Sequence, residues 1–260
     1  MIFDSHCHID PRNYGGDQGV AEVIATAKAA GVTRMLTVGA GYGDGSAARA
    51  VAVARAHEGV WASVGVHPHD ASTLDDAVLA ELTQLAAADE VVAWGEIGLD
   101  FYYDRSPREV QREAFRRQIR RGLELGLPLI LHDRDSEGEV EQILVDEGAF
   151  EGAGVLYHCY AGDVQAMERL VARGAYISIP GTVTYRKATV QQEVARRVPS
   201  ERYLVETDAP FLTPEPLRGR RNEPCHTALT VEAIAELREV SPTTVARETF
   251  ENASRLFGLD

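Results

Sequence analysis

The histidines of this chain fall in short polar clusters. His6-Cys7-His8 follows an apolar run near the start, and Gly65-Val66-His67-Pro68-His69 follows another. His132-Asp133-Arg134-Asp135 and His158-Cys159-Tyr160 end two more. Carboxylates recur in the same setting, as Glu96 and Asp100 in Gly95-Glu96-Ile97-Gly98-Leu99-Asp100 and as Glu206 and Asp208 in Glu206-Thr207-Asp208-Ala209-Pro210. Imidazole and carboxylate together are ligands for divalent cations, and a carboxylate with two oxygens can bridge a pair of ions. Alternate side chains of an extended segment share a face, so His6 and His8 can hold one ion while Cys7 points elsewhere. A lone His-x-His pair is more often two ordinary histidines. Four imidazoles and two carboxylates converging on one place are different: they match the ligand demand of two divalent cations, with open positions for water.

These groups meet only if the fold gathers them. Short β-rich apolar runs occupy Ile2 to Ser5, Arg34 to Val38, Val60 to Val64, Val91 to Trp94, Leu129 to Leu131, Val155 to Tyr157, Ala175 to Ile179 and Tyr203 to Val205. Helical stretches separate them. In the clearest, Ser106 to Leu125, Ser106, Pro107 and Glu109 read as cap, first-turn proline and capping-box partner; Phe115, Ile119 and Leu123 line one face, and Gly126 and Pro128 stop the helix. Ser136 with Glu139, and Asp163, read as further starts. Near-continuous apolar strands suit a parallel sheet covered by helices. Eight βα units imply an α/β fold, a closed (β/α)8 TIM barrel forming one domain over residues 1–260. An open doubly wound sheet is the competing arrangement, but no GxGxxG follows an early strand. Gly39, Gly41, Gly43 and Gly45 lack the GK[ST] of a phosphate loop and read as a flexible loop. Barrel chemistry sits at the C-terminal ends of the strands, which is where the clusters fall. Glycines beside Glu96 are expected to be exposed and to admit substrate closely.

The formal net charge of −14 excludes a protein that coats nucleic acid by general attraction, but not an enzyme touching a few phosphates. Only Lys28 and Lys187 are lysines, so the arginine bias reflects overall composition. Cys7, Cys159 and Cys225, with no CxxC, read as buried thiols. The start MIFDSHCHID has no basic leader, and no apolar run is long enough for a membrane span, so a cytoplasmic protein without membrane or obligate protein partner is expected.

The chain resembles the TatD family of metal-dependent deoxyribonucleases, among the amidohydrolase-like barrels. The matching stretches are D-S-H-C-H at the start, G-V-H-P-H at 65–69, W-G-E-I-G-L-D-F at 94–101 and L-H-D-R-D at 131–135. They continue with H-C-Y-A-G at 158–162, E-T-D-A-P-F-L at 206–212, R-N-E-P at 221–224 and N-A-S-R-L-F near the C-terminus. The resemblance implies that His6, His8 and Asp208 hold one metal, that His132 and His158 hold the other, and that Glu96 bridges them. It implies a phosphate contact for His67. The chain has Tyr160 where the family usually has phenylalanine, and Cys225 where it often has alanine.

The expected activity is hydrolysis of DNA phosphodiesters at single-stranded ends by an exonuclease, with a metal-bridging water as nucleophile and Asp208 moving the proton. Mg, Mn or Zn would serve. Arg134, Tyr160, Tyr185 and Arg186 are candidate substrate contacts beside His67. Phe101, Tyr102 and Tyr103 could stack on an unpaired base, and the arginines of 218–221 form a local basic patch. Glu206 is a candidate for orienting a ligand. The alternatives are a metal-dependent ester or amide hydrolase, such as a D-aminoacyl-tRNA deacylase, and a binding protein on a barrel that has lost catalysis.

Overall fold

The computed structural model describes every residue except 42, 44 and 260. Its strands are β1 (Ile2–Cys7), β2 (Val32–Gly39), β3 (Val60–Val64), β4 (Val91–Asp100), β5 (Leu129–Arg134), β6 (Val155–Tyr157), β7 (Tyr176–Ile179) and β8 (Tyr203–Val205). The helices are α1 (Pro11–Tyr14), α2 (Asp17–Ala29), α3 (Ser46–Ala56), α4 (Asp76–Leu85), α5 (Arg108–Leu125), α6 (Glu139–Asp146), α7 (Val164–Ala172), α8 (Thr189–Arg197), α9 (Thr227–Arg238) and α10 (Pro242–Phe257). The strands form one parallel sheet in sequential order from β1 to β8. At the seam, the Asp208 amide donates to the His6 carbonyl at 2.9 Å and the His8 amide to the Ala209 carbonyl at 2.7 Å, nearly closing the barrel. The expected barrel is therefore present. No helix among the described residues is long and apolar enough to cross a membrane. The Gly39–Gly45 stretch links β2 to α3, and positions 42 and 44 of that expected loop lie outside the described residues.

Two apolar layers hold the structure. Outward-facing strand residues such as Trp94, Ile97, Leu131 and Val205 pack under the helices. Inside, Phe3, Leu36, Ala93, Ile130, Leu156, Tyr176 and Leu204 form a floor, which Ala253, Leu256 and Phe257 of α10 plug from below. Above it, Ser5 Oγ lies 3.1 Å from Ser178 Oγ and donates to the Val205 carbonyl at 3.0 Å.

Register decides what stands above that layer. Phe3 and Ser5 face the interior, so unbroken alternation along β1 would bring Cys7 to the mouth. The ladder instead shifts between Asp4 and Cys7, which pair with Met35 and Thr37, so three residues of β1 advance against two of β2. His6 and His8 then face inward, and Cys7 turns outward to donate to the Leu36 carbonyl. In β4 a second shift falls between Gly95 and Ile97, which pair with Ile130 and Leu131. Glu96 is the extra residue, and a bulge of this kind re-aims a side chain. The expected end of β4 at Trp94 is thus corrected: Glu96 lies inside a strand that runs to Asp100.

The glycines flanking Glu96 are buried rather than exposed. What comes close is β5, not substrate: a Cβ on Gly98 would lie 1.9 Å from the His132 carbonyl oxygen, with φ at +148°. Helix α5 starts one residue later than its motif suggests, with Pro107 as N-cap. Ser106 Oγ is occupied elsewhere, donating to the His69 carbonyl at 2.9 Å. Likewise Gly138 caps α6 while Ser136 donates to Asp133, whereas Asp163 caps α7 as expected, accepting from the Ala166 amide at 2.8 Å.

Phe3 is fully buried, with ring centroids 5.8 Å from Phe257, 6.1 Å from Trp61 and 6.3 Å from Phe250. Phe3→Ala should lower unfolding free energy by about 3–5 kcal/mol in chemical denaturation. A loss below ~1 kcal/mol would show that the α10 plug does not depend on this ring.

Candidate metal centre

The six polar side chains expected to converge do so. Glu96 is almost wholly buried, and its two oxygens face different partners. Oε2 lies 3.4 Å from His6 Nε2 and 4.0 Å from His8 Nε2. Oε1 lies 2.7 Å from His132 Nδ1, 2.9 Å from His158 Nε2 and 3.3 Å from His67 Nε2. Asp208 Oδ1 completes the first side, 3.4 Å from His8 Nε2 and 3.8 Å from His6 Nε2. Three overlapping groups have donors close enough to share an ion: His6, His8 and Asp208; His6, Glu96 and His158; and His67, Glu96 and His132.

The donor chemistry fits a metal. His6 is fully buried, yet neither ring nitrogen makes a hydrogen bond of acceptable geometry among the described residues. A buried imidazole without a well-formed hydrogen bond is costly unless something else occupies its lone pair. Burial, then the charge of His158, pushes the His6 pKa down despite Glu96. Burial likewise brings His67 down to about 4, against the pull of Glu96. Both are therefore neutral at pH 7, the form that ligates. Burial opposes ionisation of Glu96, but His158, His67 and His132 outweigh it and hold the carboxyl well below its usual range. Asp208 is also lowered: burial is overcome by the hydrogen bond from His8 and by the charges of His158, His8 and His6. His132 and His158 move the other way, because Asp100, Glu96 and Glu206 outweigh burial and raise both.

Supporting residues fix the donors. Glu206 Oε1 lies 3.3 Å from His158 Nδ1 and accepts the Cys159 amide at 2.8 Å. Asp100 was not singled out from the sequence as a support, although alternation from Glu96 through Gly98 places it on the same face. It is fully buried; Oδ2 lies 3.1 Å from His132 Nε2 and 2.7 Å from His69 Nε2, while Oδ1 accepts the amides of Tyr102 and Tyr103. Buried Gln111 in turn donates to the Asp100 carbonyl and accepts its amide.

The centre floors a cavity of about 1010 Å³. Arg134 reaches the rim, with its guanidinium 4.2 Å from the Tyr102 ring centre and 4.9 Å from that of Tyr103. Tyr160 lines the wall, but its hydroxyl donates to the Asp163 carbonyl at 3.0 Å, so the extra hydroxyl is taken up by the loop. Tyr185 similarly donates to the Thr213 carbonyl, and Arg186 lines the cavity. Of the basic patch, Arg218 lies over Tyr185 at the mouth, whereas Arg221 pairs with Glu223 at 3.0 Å. Phe101 is buried under Arg108 and Arg112, which removes it from the stacking candidates. The cysteines are free thiols; Cys7 is buried, and Cys159 and Cys225 are partly so.

A parallel barrel with histidines and carboxylates gathered at the C-terminal mouth of its strands is the arrangement of a metal-dependent hydrolase. The chain belongs to the TatD family, whose model, described as TatD related DNase, matches residues 3–258. It is 40% identical over 260 residues to an uncharacterized metal-dependent hydrolase, YabD, of Bacillus subtilis, covering 100% of both chains. It is 38% identical over 261 residues to a 3'-5' ssDNA/RNA exonuclease, TatD, of Cronobacter sakazakii, covering 98% of this chain and 97% of that one. Among solved structures it is similar to a TatD homolog of Escherichia coli, YJJV, at a TM-score of 0.91 and 29% identity, covering 100% of this chain and 98% of that one.

Two measurements test the centre. With the His132 and His158 pKa values raised above 6.5 in the metal-free protein, divalent binding near pH 7 should release protons, and apparent affinity should keep rising as pH increases above 6.5. Calorimetry in buffers of different ionisation enthalpy reads this; uptake of protons would contradict it. Asp100→Asn, which removes the charge facing His132, should weaken metal binding by ~10–100-fold. An unchanged affinity would show that Asp100 serves only the rim.

Proposed function

We propose that this hydrolase cleaves phosphodiester bonds at single-stranded DNA ends, acting as an exonuclease with two divalent ions of Mg, Mn or Zn. In this reading His6, His8 and Asp208 hold one ion, His132 and His158 hold the other, and Glu96 is shared. The observation that carries it is the Glu96 carboxylate, whose Oε2 faces His6 and His8 while Oε1 faces His132 and His158. Bound ions would lower the pKa of water from ~15.7 towards ~7 and neutralise charge building on the phosphoryl oxygens.

The chain's own residues supply the rest. Asp208 is held ionised by its histidine neighbours, so at neutral pH it can accept the proton of the attacking water. His67 borders the second ligand set; with His132 and His158 filling it, the neutral imidazole is available to donate to a phosphate oxygen. Arg134 meets phosphate at the rim, and Tyr160 contributes its ring to the wall. Glu206 and Asp100 keep His158 and His132 from turning away.

A phosphodiester is favoured over a neutral ester by the rim: outside the centre, Arg105, Arg134, Arg186, Lys187 and Arg218 line the cavity against Asp133 and Glu215, in a chain whose formal net charge is −14. One of only two lysines stands there. Local positive charge on an acidic protein suits a few phosphates rather than a long duplex. The exonuclease name of the Cronobacter relative supports the same class.

The test is a chelator-treated preparation reconstituted with Mg²⁺, Mn²⁺ or Zn²⁺ and offered end-labelled single-stranded and duplex DNA. Single strands should be shortened from an end only after metal is restored. Glu96→Ala should abolish metal-dependent turnover, and Asp208→Asn should reduce kcat by ~10²–10⁴-fold. Hydrolysis of aryl or aminoacyl esters, with no digestion of DNA under any metal, would transfer the assignment to the ester hydrolase.

A further inference from the structure

We infer that the mouth carries two base-stacking positions, Tyr103 and Phe211, which take unpaired nucleobases of a single strand on either side of the reacting phosphate. The inference rests on the phosphodiester reading above. Tyr103 is 50% exposed and Phe211 51%, and both line the cavity that contains Glu96 and Asp208. They flank opposite halves of the centre. Tyr103 stands edge-on to His69 at 5.5 Å, on the side of Asp100 and His132. Phe211 stands edge-on to His8 at 6.2 Å, on the side of Asp208.

Each ring is anchored to the centre through backbone. The Tyr103 amide donates to Asp100 Oδ1 at 2.9 Å, while the other oxygen of that carboxylate faces His132. The Phe211 amide donates to the Asp208 carbonyl at 2.9 Å, and the Phe211 carbonyl accepts from Asn222 Nδ2 at 2.6 Å. Asn222 is itself fully buried. Both rings are therefore held at fixed distances from the ligand sets, as positioning a base against a phosphate requires. Isolated exposed aromatics are ordinary on a protein surface. These two are fixed by backbone, face one cavity and stand beside the two halves of a candidate metal centre, where a strand entering the mouth would meet them.

The chemistry matches a nucleobase. Every base presents a π-face, so aromatic stacking accepts any sequence but demands that the base be unpaired and unstacked. Guanidinium groups lie over the Tyr103 ring, Arg134 at 4.9 Å and Arg105 at 5.4 Å from its centre, so a base stacking there takes the place of one of them and leaves it to meet the backbone phosphate of that nucleotide. A blunt duplex end keeps its bases covered by one another and offers neither ring a face.

The test uses protein reconstituted with Mn²⁺ and a fluorescent single-stranded oligonucleotide with terminal phosphorothioate linkages, in two forms: ordinary bases, or tetrahydrofuran abasic residues at its ends. Anisotropy should show that Tyr103→Ala and Phe211→Ala each weaken binding of the ordinary strand by ~10–100-fold. Neither should change binding of the abasic strand by more than about twofold, since the base that each ring would meet is already missing. Tyr103→Phe, which keeps the ring, should restore binding. Equal losses on both strands would make the rings scaffolding and overturn the inference, as would no loss on either. Hydrolysis assays run in parallel separate the two claims. A wild-type chain that shows the ring-dependent preference but digests no strand would remove the phosphodiester reading and leave the stacking positions standing.

Discussion

The structure turns on one buried carboxylate. Glu96 is 2% exposed and stays ionised, a state that is costly in a protein interior unless opposite charge and hydrogen bonds surround it. Five imidazoles do so, contributed by strands or strand exits far apart in sequence. Without metal, the raised pKa values of His132 and His158 supply positive charge as protons. A divalent ion would provide the same compensation while leaving those rings neutral. The same residues thus compensate a buried carboxylate and offer the donors that a divalent ion would need, and metal binding there would be a trade of protons for metal.

Much of this was legible in the sequence because it follows from alternation and from where barrel strands end. All eight strands and the inward aim of His132, His158 and Asp208 are of that kind. Simple alternation succeeds at β5, β6 and β8, where Ile130 precedes His132, Leu156 precedes His158 and Leu204 precedes Glu206 on the interior face. It fails at β1 and β4. There the interior phase changes within the strand, and the change depends on pairing with β2 and β5, which a single chain segment does not encode. Two-residue periodicity carried upward from the floor would have placed Cys7 and Ile97 in the centre. The motif at the start of α5 failed for a similar reason: the Ser106 hydroxyl has a tertiary partner in the His69 carbonyl.

Acidic composition and a basic rim are compatible because they occupy different length scales. The net charge of −14 acts at distances that salt screens, about 8–10 Å at ordinary ionic strength. The rim arginines act within the cavity, where low-dielectric walls concentrate their field. Many other arginines are neutralised on the outer helices: Arg112 pairs with Glu139, Arg116 with Asp146 and Glu147, and Arg120 with Glu147. The arginines of the sequence therefore include one group tying α5 to α6 and another facing the mouth, and residue counting alone could not divide them.

The division between floor and mouth explains how a stable barrel tolerates so polar a centre. Phe3, Ile130 and Leu204 bury apolar surface against the α10 plug, independently of what ligates above. The donors, in contrast, are held by hydrogen bonds that run outward to the rim. His132 is fixed at both nitrogens, by Glu96 and by Asp100, and Asp100 also fixes the turn bearing Tyr103. Donor orientation and the shape of the entrance thus share one support. A change at Asp100 acts on both together, whereas a change at Phe3 leaves their relative placement intact.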